Sequence, residues 1–264
     1  MNHQQFEPPP SLKDYVSHFW VLESQDKNPD PRTFTVMSSG YPGLIFLENP
    51  GAITGFEGER LPQLFVFGQA TKAGQLHFSG EFRNIGVSFR PAALKYLFGF
   101  DASELTHQNT SIGNLVKSSL SERLANCNSA RQKVSCIAEF LEKQANLHGS
   151  ANNRLEYAIK RLQQGKRLPD VQHDLNLSER SLERLFLSHI GITPVMYTRI
   201  IRFQTAIALI RQGRSRSLTD IAHSLDYFDQ SHFIRDFRLF SGVTPGVYLR
   251  KAIEHMPGFP EWGA

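Results

Sequence analysis

The sequence has little of what marks several protein classes. Only two of its 264 residues are cysteine, Cys127 and Cys136, and they lie nine positions apart in a stretch with helical periodicity. This spacing fits neither a disulfide framework nor a metal site, so we expect free thiols. No apolar run approaches the roughly 18–20 residues that span a bilayer, and the polar start lacks the apolar core of a secretory signal. We therefore expect a cytoplasmic protein without a membrane segment.

The motifs of common enzyme classes are also missing. The sequence contains no nucleophile elbow, phosphate-binding loop or dinucleotide-binding fingerprint. His18, His77 and His107 are scattered, without the paired histidines typical of metal-binding barrels. The cysteines lack the Pro-Cys-His context of a reactive repair cysteine. We therefore predict that the protein is not an enzyme, with no catalytic residues, no metal and no cofactor.

Excess positive charge is confined to the second half. Residues 1–150 contain 13 Lys or Arg and 14 Asp or Glu, a net charge of −1, whereas residues 151–264 contain 16 and 11, a net charge of +5. This asymmetry is expected of a domain whose partner is a chain of phosphates.

The first 89 residues have the pattern of short strands. Apolar runs at residues 43–47 and 64–67, and the alternation of Ile85, Val87 and Phe89, are separated by turn signals. Strands at this spacing predict a small β-barrel or sandwich. Helical periodicity follows at residues 112–124 and 134–141. These flanking helices either cover the sheet or pair with another subunit.

The last hundred residues contain a repeat of about fifty residues. The first matches are fifty positions apart and, after a one-residue slip at residues 227–229, the later ones are fifty-one apart. The matched pairs are Leu168 and Leu218, Asp170 and Asp220, His173 and His223, Leu175 and Leu225, Arg184 and Arg235, Phe186 and Phe237, Gly191 and Gly242, Thr193 and Thr244, Pro194 and Pro245, Tyr197 and Tyr248, and Arg199 and Arg250. Helix-start signals at Pro169 and Ser217, and N-cap residues Ser178 and Asp229, predict a helix-turn-helix in each copy.

The second helix of each copy, at residues 179–190 and 230–240, combines an apolar face with an outward polar stripe. The outward residues are Arg180, Glu183, Arg184 and Leu187 in the first helix and Ser231, Ile234, Arg235 and Arg238 in the second. A recognition helix needs this arrangement to reach base edges in the major groove. Arg184 and Arg235 recur at equivalent positions, so we predict that both contact nucleic acid. A helix at residues 196–211, about 24 Å long, would hold the two units on one face of DNA.

Residues 218–222 (Leu-Thr-Asp-Ile-Ala), 229–233 (Asp-Gln-Ser-His-Phe), 237–238 and 242–245, with Tyr248, resemble the signature of the AraC/XylS family of bacterial transcription regulators. The resemblance implies an all-α DNA-binding domain with two helix-turn-helix units joined by a central helix. The DNA-binding residues that we predict from the stripes and the resemblance are Arg180, Ser181, Glu183, Arg184, Gln230, Ser231, His232, Arg235 and Arg238. Two departures, Gln172 in the place of Ala222 and Leu187 where the family often has a basic residue, predict looser seating of the first unit.

The first half resembles an N-terminal domain attached to some of these regulators, through residues 12–23, 67–68 and 86–91. By analogy it is a sensor or dimerisation module. The fold class expected is therefore α+β, with an N-terminal domain at residues 1–148 and a double helix-turn-helix domain at 149–264, joined by a polar linker at 146–153 that contains Gly149-Ser150. We expect double-stranded DNA, a small-molecule effector, a second copy of the chain and RNA polymerase as partners.

Three functional classes stay open, in order. The first is a ligand-responsive transcription factor, which an apolar pocket among the phenylalanines of residues 34–89 would favour. The second is a regulator whose first half only dimerises. The third is a bifunctional protein whose N-terminal half is an enzyme tethered to a DNA-binding domain.

Overall fold

The computed structural model describes residues 1–28, 30–55, 58–148, 151–212, 217–256 and 258–262. Its strands are β1 (Asn2–Phe6), β2 (Val16–Ser24), β3 (Arg32–Val36), β4 (Gly43–Leu47), β5 (Ile53–Thr54), β6 (Leu64–Phe67), β7 (Gly74–Phe78), β8 (Phe82–Phe89), β9 (Asn109–Ser111), β10 (Ala252–Met256) and β11 (Phe259–Trp262). Its α-helices are α1 (Ala93–Phe98), α2 (Ile112–Leu115), α3 (Leu120–Ala125), α4 (Ala130–His148), α5 (Asn153–Gln163), α6 (Leu168–Leu175), α7 (Glu179–Ile190), α8 (Pro194–Arg211), α9 (Leu218–Ser224), α10 (Gln230–Ser241) and α11 (Pro245–Lys251). Short 3-10 helices lie at Pro10–Leu12, Pro50–Ala52 and Ala102–Leu105.

The predicted α+β fold is confirmed, and the N-terminal strands form a sandwich. A six-stranded sheet has the order β1-β2-β8-β4-β6-β9, and a five-stranded sheet has the order β10-β11-β3-β7-β5. The paired strands are antiparallel throughout. The buried runs predicted at residues 43–47 and 64–67 are β4 and β6.

Both faces of the six-stranded sheet are buried, so the chain forms three layers. Alternate residues of β2 show this, because Phe19 and Val21 join the core under the helices whereas Trp20 and Leu22 join the aromatic core between the sheets. The Trp20 indole lies across Gly86, its partner in β8. A Cβ at Gly86 would stand 2.0 Å from the indole, so only glycine fits there.

The flanking helices cover the sheet. Their apolar residues, including Leu120 and Leu141, are buried in the core under α1 to α4. The single helix predicted over residues 112–124 is wrong: α2 ends at Leu115, and Val116 is extended, with φ −144°. α3 then begins at Leu120. The polar run Lys117-Ser118-Ser119 supplies no apolar residue with which a continuous helix could pack on the sheet.

Seven helices, α5 to α11, form the C-terminal bundle within the described residues. Helix α5 was not predicted, although Leu155, Ala158, Ile159 and Leu162 have helical spacing and are buried. The predicted linker at 146–153 is shorter than expected, because α4 runs to His148 and α5 begins at Asn153. Gly149 and Ser150 lie outside the described residues.

Residues beyond α11 return to the sandwich. β11 pairs with β3, with Glu261 opposite Phe34, and β10 pairs with β11. The Phe259 ring stacks on Phe34 with centroids 5.0 Å apart and meets Phe78 edge-on at 5.7 Å. The predicted boundary assigned residues 252–262 to the helical domain, whereas Phe259 completes the aromatic core between the sheets.

Candidate nucleic-acid interface

The two repeats fold into two closely similar helix-turn-helix units, α6–α7 and α9–α10. Each turn contains a left-handed residue, Asn176 with φ 50° or Asp226 with φ 54°. The residue after the left-handed one then donates its backbone amide to a carbonyl of the preceding helix. The Leu177 amide donates to the Gln172 carbonyl and the Tyr227 amide to the Ala222 carbonyl, each at 3.0 Å. These paired positions are fifty residues apart, as the sequence repeat predicts.

The predicted N-caps are confirmed. The Ser178 hydroxyl accepts from the amide of Ser181 at 3.2 Å, and the Asp229 carboxylate accepts from that of His232 at 2.6 Å. The caps are fifty-one residues apart, so the one-residue slip lies between Tyr227 and Asp229. Phe228 is therefore the inserted residue, and it is 93% exposed.

The outward stripe of α7 largely matches the prediction. Arg180, Glu183 and Arg184 are exposed, whereas Leu182, Phe186 and Ile190 are buried on the opposite face. Leu187, which was predicted to point outward, is only half-exposed. Ser181 is half-buried and its hydroxyl lies 2.9 Å from that of Ser178, so it also contributes to the helix cap.

The stripe of α10 is narrower than predicted. Among the predicted contact residues of α10, Gln230, Ser231, Arg235 and Arg238 are exposed. The outward placement of Ile234 is wrong, because its side chain is half-buried against the helical core. His232 is also half-buried, since its ring meets Tyr227 edge-on at 5.3 Å.

The central helix α8 anchors both recognition helices. Its 18 residues span about 27 Å. Tyr197 packs against Phe186 of α7, with centroids 5.7 Å apart, and Phe203 packs against Phe237 of α10 at 5.3 Å. α8 therefore holds the two helices in one fixed relation.

A buried ion pair fixes α10 against α8. Arg199 donates to both carboxylate oxygens of Asp236, at 2.7 and 3.3 Å, and Asp236 is only 2% exposed. This contact raises the pKa of Arg199 above its ordinary value. The corresponding residue of α7 is Leu185, so sequence reasoning had no repeated signal with which to find this pair.

The sandwich holds the C-terminal ends of both recognition helices. On α7, the Thr106 hydroxyl donates to the Gly191 carbonyl at 2.6 Å. On α10, the Ser38 amide donates to the Phe240 carbonyl at 3.0 Å and the Ala73 amide donates to the Leu239 carbonyl at 2.9 Å. The N-caps Ser178 and Asp229 lie at the opposite ends of these helices.

The described residues show no grouping of three His, Cys, Asp or Glu side chains that could hold a metal ion. Beside Phe34, Phe78 and Phe82 the structure has a small cavity of about 10 Å³. That is close to the minimum for one water molecule. No helix that the structure describes combines the length and apolarity needed to cross a bilayer.

Comparison with protein-family models finds two matches. Residues 172–251 match a family described as a helix-turn-helix domain, and residues 4–111 match a domain of unknown function, DUF6597. The first match begins within α6, at Gln172, and covers α7, both turns, the central helix and the second unit. The C-terminal region is an AraC-type helix-turn-helix domain.

Curated relatives of this AraC-type domain are named as regulators. The chain is 33% identical over 94 residues to YidL of Escherichia coli, an HTH-type transcriptional regulator, in a match that covers 36% of this chain and 31% of YidL. It is 34% identical over 86 residues to RhaR of Yersinia pseudotuberculosis, an HTH-type transcriptional activator, covering 33% of this chain and 29% of RhaR. The chain thus matches less than a third of the length of these relatives.

Two further comparisons extend beyond the AraC-type domain. An HTH-type transcriptional regulator of Haemophilus influenzae is 26% identical, with 55% of this chain and 54% of that protein covered. A crystal structure of ToxT from Vibrio cholerae aligns over 88% of this chain and 96% of ToxT, with 13% identity and a TM-score of 0.44.

Proposed function

We propose that the protein is a sequence-specific DNA-binding transcription regulator in which α7 and α10 enter two adjacent major-groove segments. The observation that carries the proposal is the repetition of an exposed arginine, Arg184 and Arg235, at equivalent places on two capped, apolar-anchored helices. A guanidinium in this position can form two parallel hydrogen bonds to a guanine edge. Within one chain, the two helices would read different sequences.

The proposed contact residues are Arg180, Ser181, Glu183, Arg184, Gln230, Ser231, His232, Arg235 and Arg238. Exposure supports the four arginines, Glu183, Gln230 and Ser231 as direct contacts. Ser181 and His232 are half-buried, so we assign them to shaping the first turn of each helix and to phosphate contact. The net charge of +5 in residues 151–264 is complementary to the DNA backbone.

We divide the chain into an N-terminal domain at residues 1–148 and a DNA-binding domain at 149–264, with β10 and β11 returning to the first. The N-terminal domain modulates DNA binding in response to a small molecule or through homodimerisation, and the DNA-bound protein contacts RNA polymerase. Leu120 and Leu141 are buried, so the dimer surface lies elsewhere than on their helical stripes. The proposal includes a cytoplasmic location and no catalytic activity.

The test is selection of bound duplexes from random DNA with the full-length protein, followed by affinity measurements. Arg184→Ala and Arg235→Ala should each relax base preference in a different half-site, at a cost of about 1–3 kcal/mol on the selected sequence. We expect the larger loss for Arg235, because Gln172 and Leu187 make the first unit less well seated. Lys160→Ala is the matched control, an exposed cation of α5 away from both stripes.

Binding should weaken steeply as salt is raised, because phosphate-bound counterions are released. A full-length protein without salt-dependent affinity for any duplex would refute DNA binding. If both arginine variants weakened all sequences equally, these residues would be phosphate anchors and the assignment of base readers would be wrong.

A further inference from the structure

The turn of the second unit presents an aromatic ring that the first unit lacks. Leu177 and Ser178 are adjacent in the first unit, and their equivalents in the second unit are Tyr227 and Asp229. Phe228 is inserted between these two equivalents. Its side chain is 93% exposed, the most exposed large apolar residue that the structure describes. A single exposed apolar residue is normal in most places. This one lies directly before the end of α10 that would enter the major groove.

The turn that carries Phe228 is fixed on both sides. The neighbouring Tyr227 is 7% exposed, and the Arg202 guanidinium lies 4.8 Å from the centre of its ring. Arg202 also donates to the Asp226 carbonyl at 3.1 Å. On the other side, Asp229 caps α10. The backbone of Phe228 is therefore held between an inward tyrosine and a helix cap, which directs its ring outward.

We propose that Phe228 contacts the C5-methyl group of a thymine in the DNA segment that α10 reads, and that it thereby sets a thymine preference in the second half-site only. The inference rests on the proposed DNA binding. Thymine alone presents an apolar methyl group in the major groove, and phenylalanine is one of the side chains that complement it. Beyond the capping Asp229, the exposed side chains of Gln230 and Ser231 are polar groups suited to the adjacent base edges and phosphates.

A DNA partner is favoured over a protein partner by position. Phe228 stands at the N-terminal end of α10, within the set of exposed polar and basic residues that the proposed function assigns to DNA. Other apolar residues that are more than half exposed, and so suited to a protein contact, lie on other elements, such as Leu249 of α11, which is 58% exposed.

The experiment removes the methyl group from DNA and the ring from the protein. Duplexes selected from random DNA by the full-length protein are remade with deoxyuridine in place of thymidine, one position at a time. The wild-type protein should lose about fourfold in affinity at one thymine of the second half-site, the effect of uncovering one methyl group. Phe228→Ala should bind the thymine duplex more weakly and should not distinguish thymine from uracil at that position. Leu249→Ala, the control, should keep the wild-type ratio.

The outcomes separate this inference from the proposed function. If no duplex is selected, DNA binding itself fails. If duplexes are selected but Phe228→Ala keeps the wild-type thymine-to-uracil ratio, or lowers affinity for both duplexes equally, the methyl contact is refuted. Loss of self-association or of RNA polymerase recruitment by Phe228→Ala, with the ratio unchanged, would assign the ring to a protein partner and would also overturn the inference.

Discussion

The contact between α7 and the sandwich can be tested with one methyl group. Gly191, the C-cap of α7, has φ +92°, and a Cβ there would lie 2.7 Å from the Thr106 hydroxyl and 2.8 Å from the Ala102 carbonyl oxygen. Gly165 also has a left-handed backbone, with φ +83°, but a Cβ there would meet nothing within 4 Å. Gly191→Ala and Gly165→Ala therefore both place alanine in a left-handed backbone conformation, but only Gly191→Ala creates a steric clash.

The magnitudes follow from these environments. Left-handed alanine costs about 1–2 kcal/mol, and loss of chain entropy in the unfolded state returns part of it, so Gly165→Ala should lower the free energy of unfolding by about 1 kcal/mol. Gly191→Ala also weakens the hydrogen bond from Thr106, worth about 1 kcal/mol, and forces a backbone shift that costs at least about 1 kcal/mol. We expect a total of about 3 kcal/mol.

Urea and thermal denaturation of the full-length variants, each followed by circular dichroism, measure the difference. The thermal midpoint of Gly191→Ala should lie about 4–8 °C below that of Gly165→Ala. Gly242→Ala should resemble Gly165→Ala, because its Cβ would be 3.6 Å from the Ala73 methyl, an ordinary contact distance. Equal losses for Gly191→Ala and Gly165→Ala would refute the docking of α7 on the sandwich.

Other substitutions test separate contacts by the same denaturation assay. Asp236→Asn should cost about 2–3 kcal/mol, because it removes the partner of Arg199 from a largely buried pair, whereas the exposed Glu183→Gln should change stability by less than about 0.5 kcal/mol. Phe259→Ala should cost about 3 kcal/mol by opening a cavity in the aromatic core, and Ile253→Ala, at a half-exposed site, should cost much less. Stability should fall as the pH is lowered from 7.5 to 5.5, because burial lowers the pKa of several histidines below the ordinary 6.5 and the unfolded chain therefore binds more protons. The raised pKa of Glu156 opposes this trend. Stability that stays constant or increases as the pH is lowered would contradict the prediction. The histidines concerned are His3, His18, His107 and His189.

Local signals sufficed to predict the recognition helices. α7 begins and ends as predicted, and α10 extends one residue further, because apolar periodicity, an N-cap and a C-terminal glycine coincide in each. Helix α5 carried the same periodicity, but the polar residues before it resembled a linker. The side chain of Ile234 differs from the prediction because it packs on the helical core, which the helix pattern alone does not contain.

Long-range pairing was beyond sequence reasoning. Nothing local to residues 252–262 indicates that β11 pairs with β3, and Phe34 is a partner from the opposite end of the chain. The docking of helix ends on Ser38, Ala73 and Thr106 is equally non-local, since backbone amides and carbonyls carry no signature in a sequence. Contacts between residues so distant in the sequence can be identified only from the tertiary structure.

The seating of Phe259 between the sheets has a consequence for how the protein is made. β3 emerges early from the ribosome, whereas its neighbour β11 is translated only after the whole helical domain. Until then one edge of β3 lacks a partner and Phe34 lacks its stacked ring, which leaves an unpaired strand beside aromatic surface. The sandwich therefore reaches its final form only after the DNA-binding helices exist, and domain-by-domain folding during synthesis stays incomplete until residues 259–262 arrive.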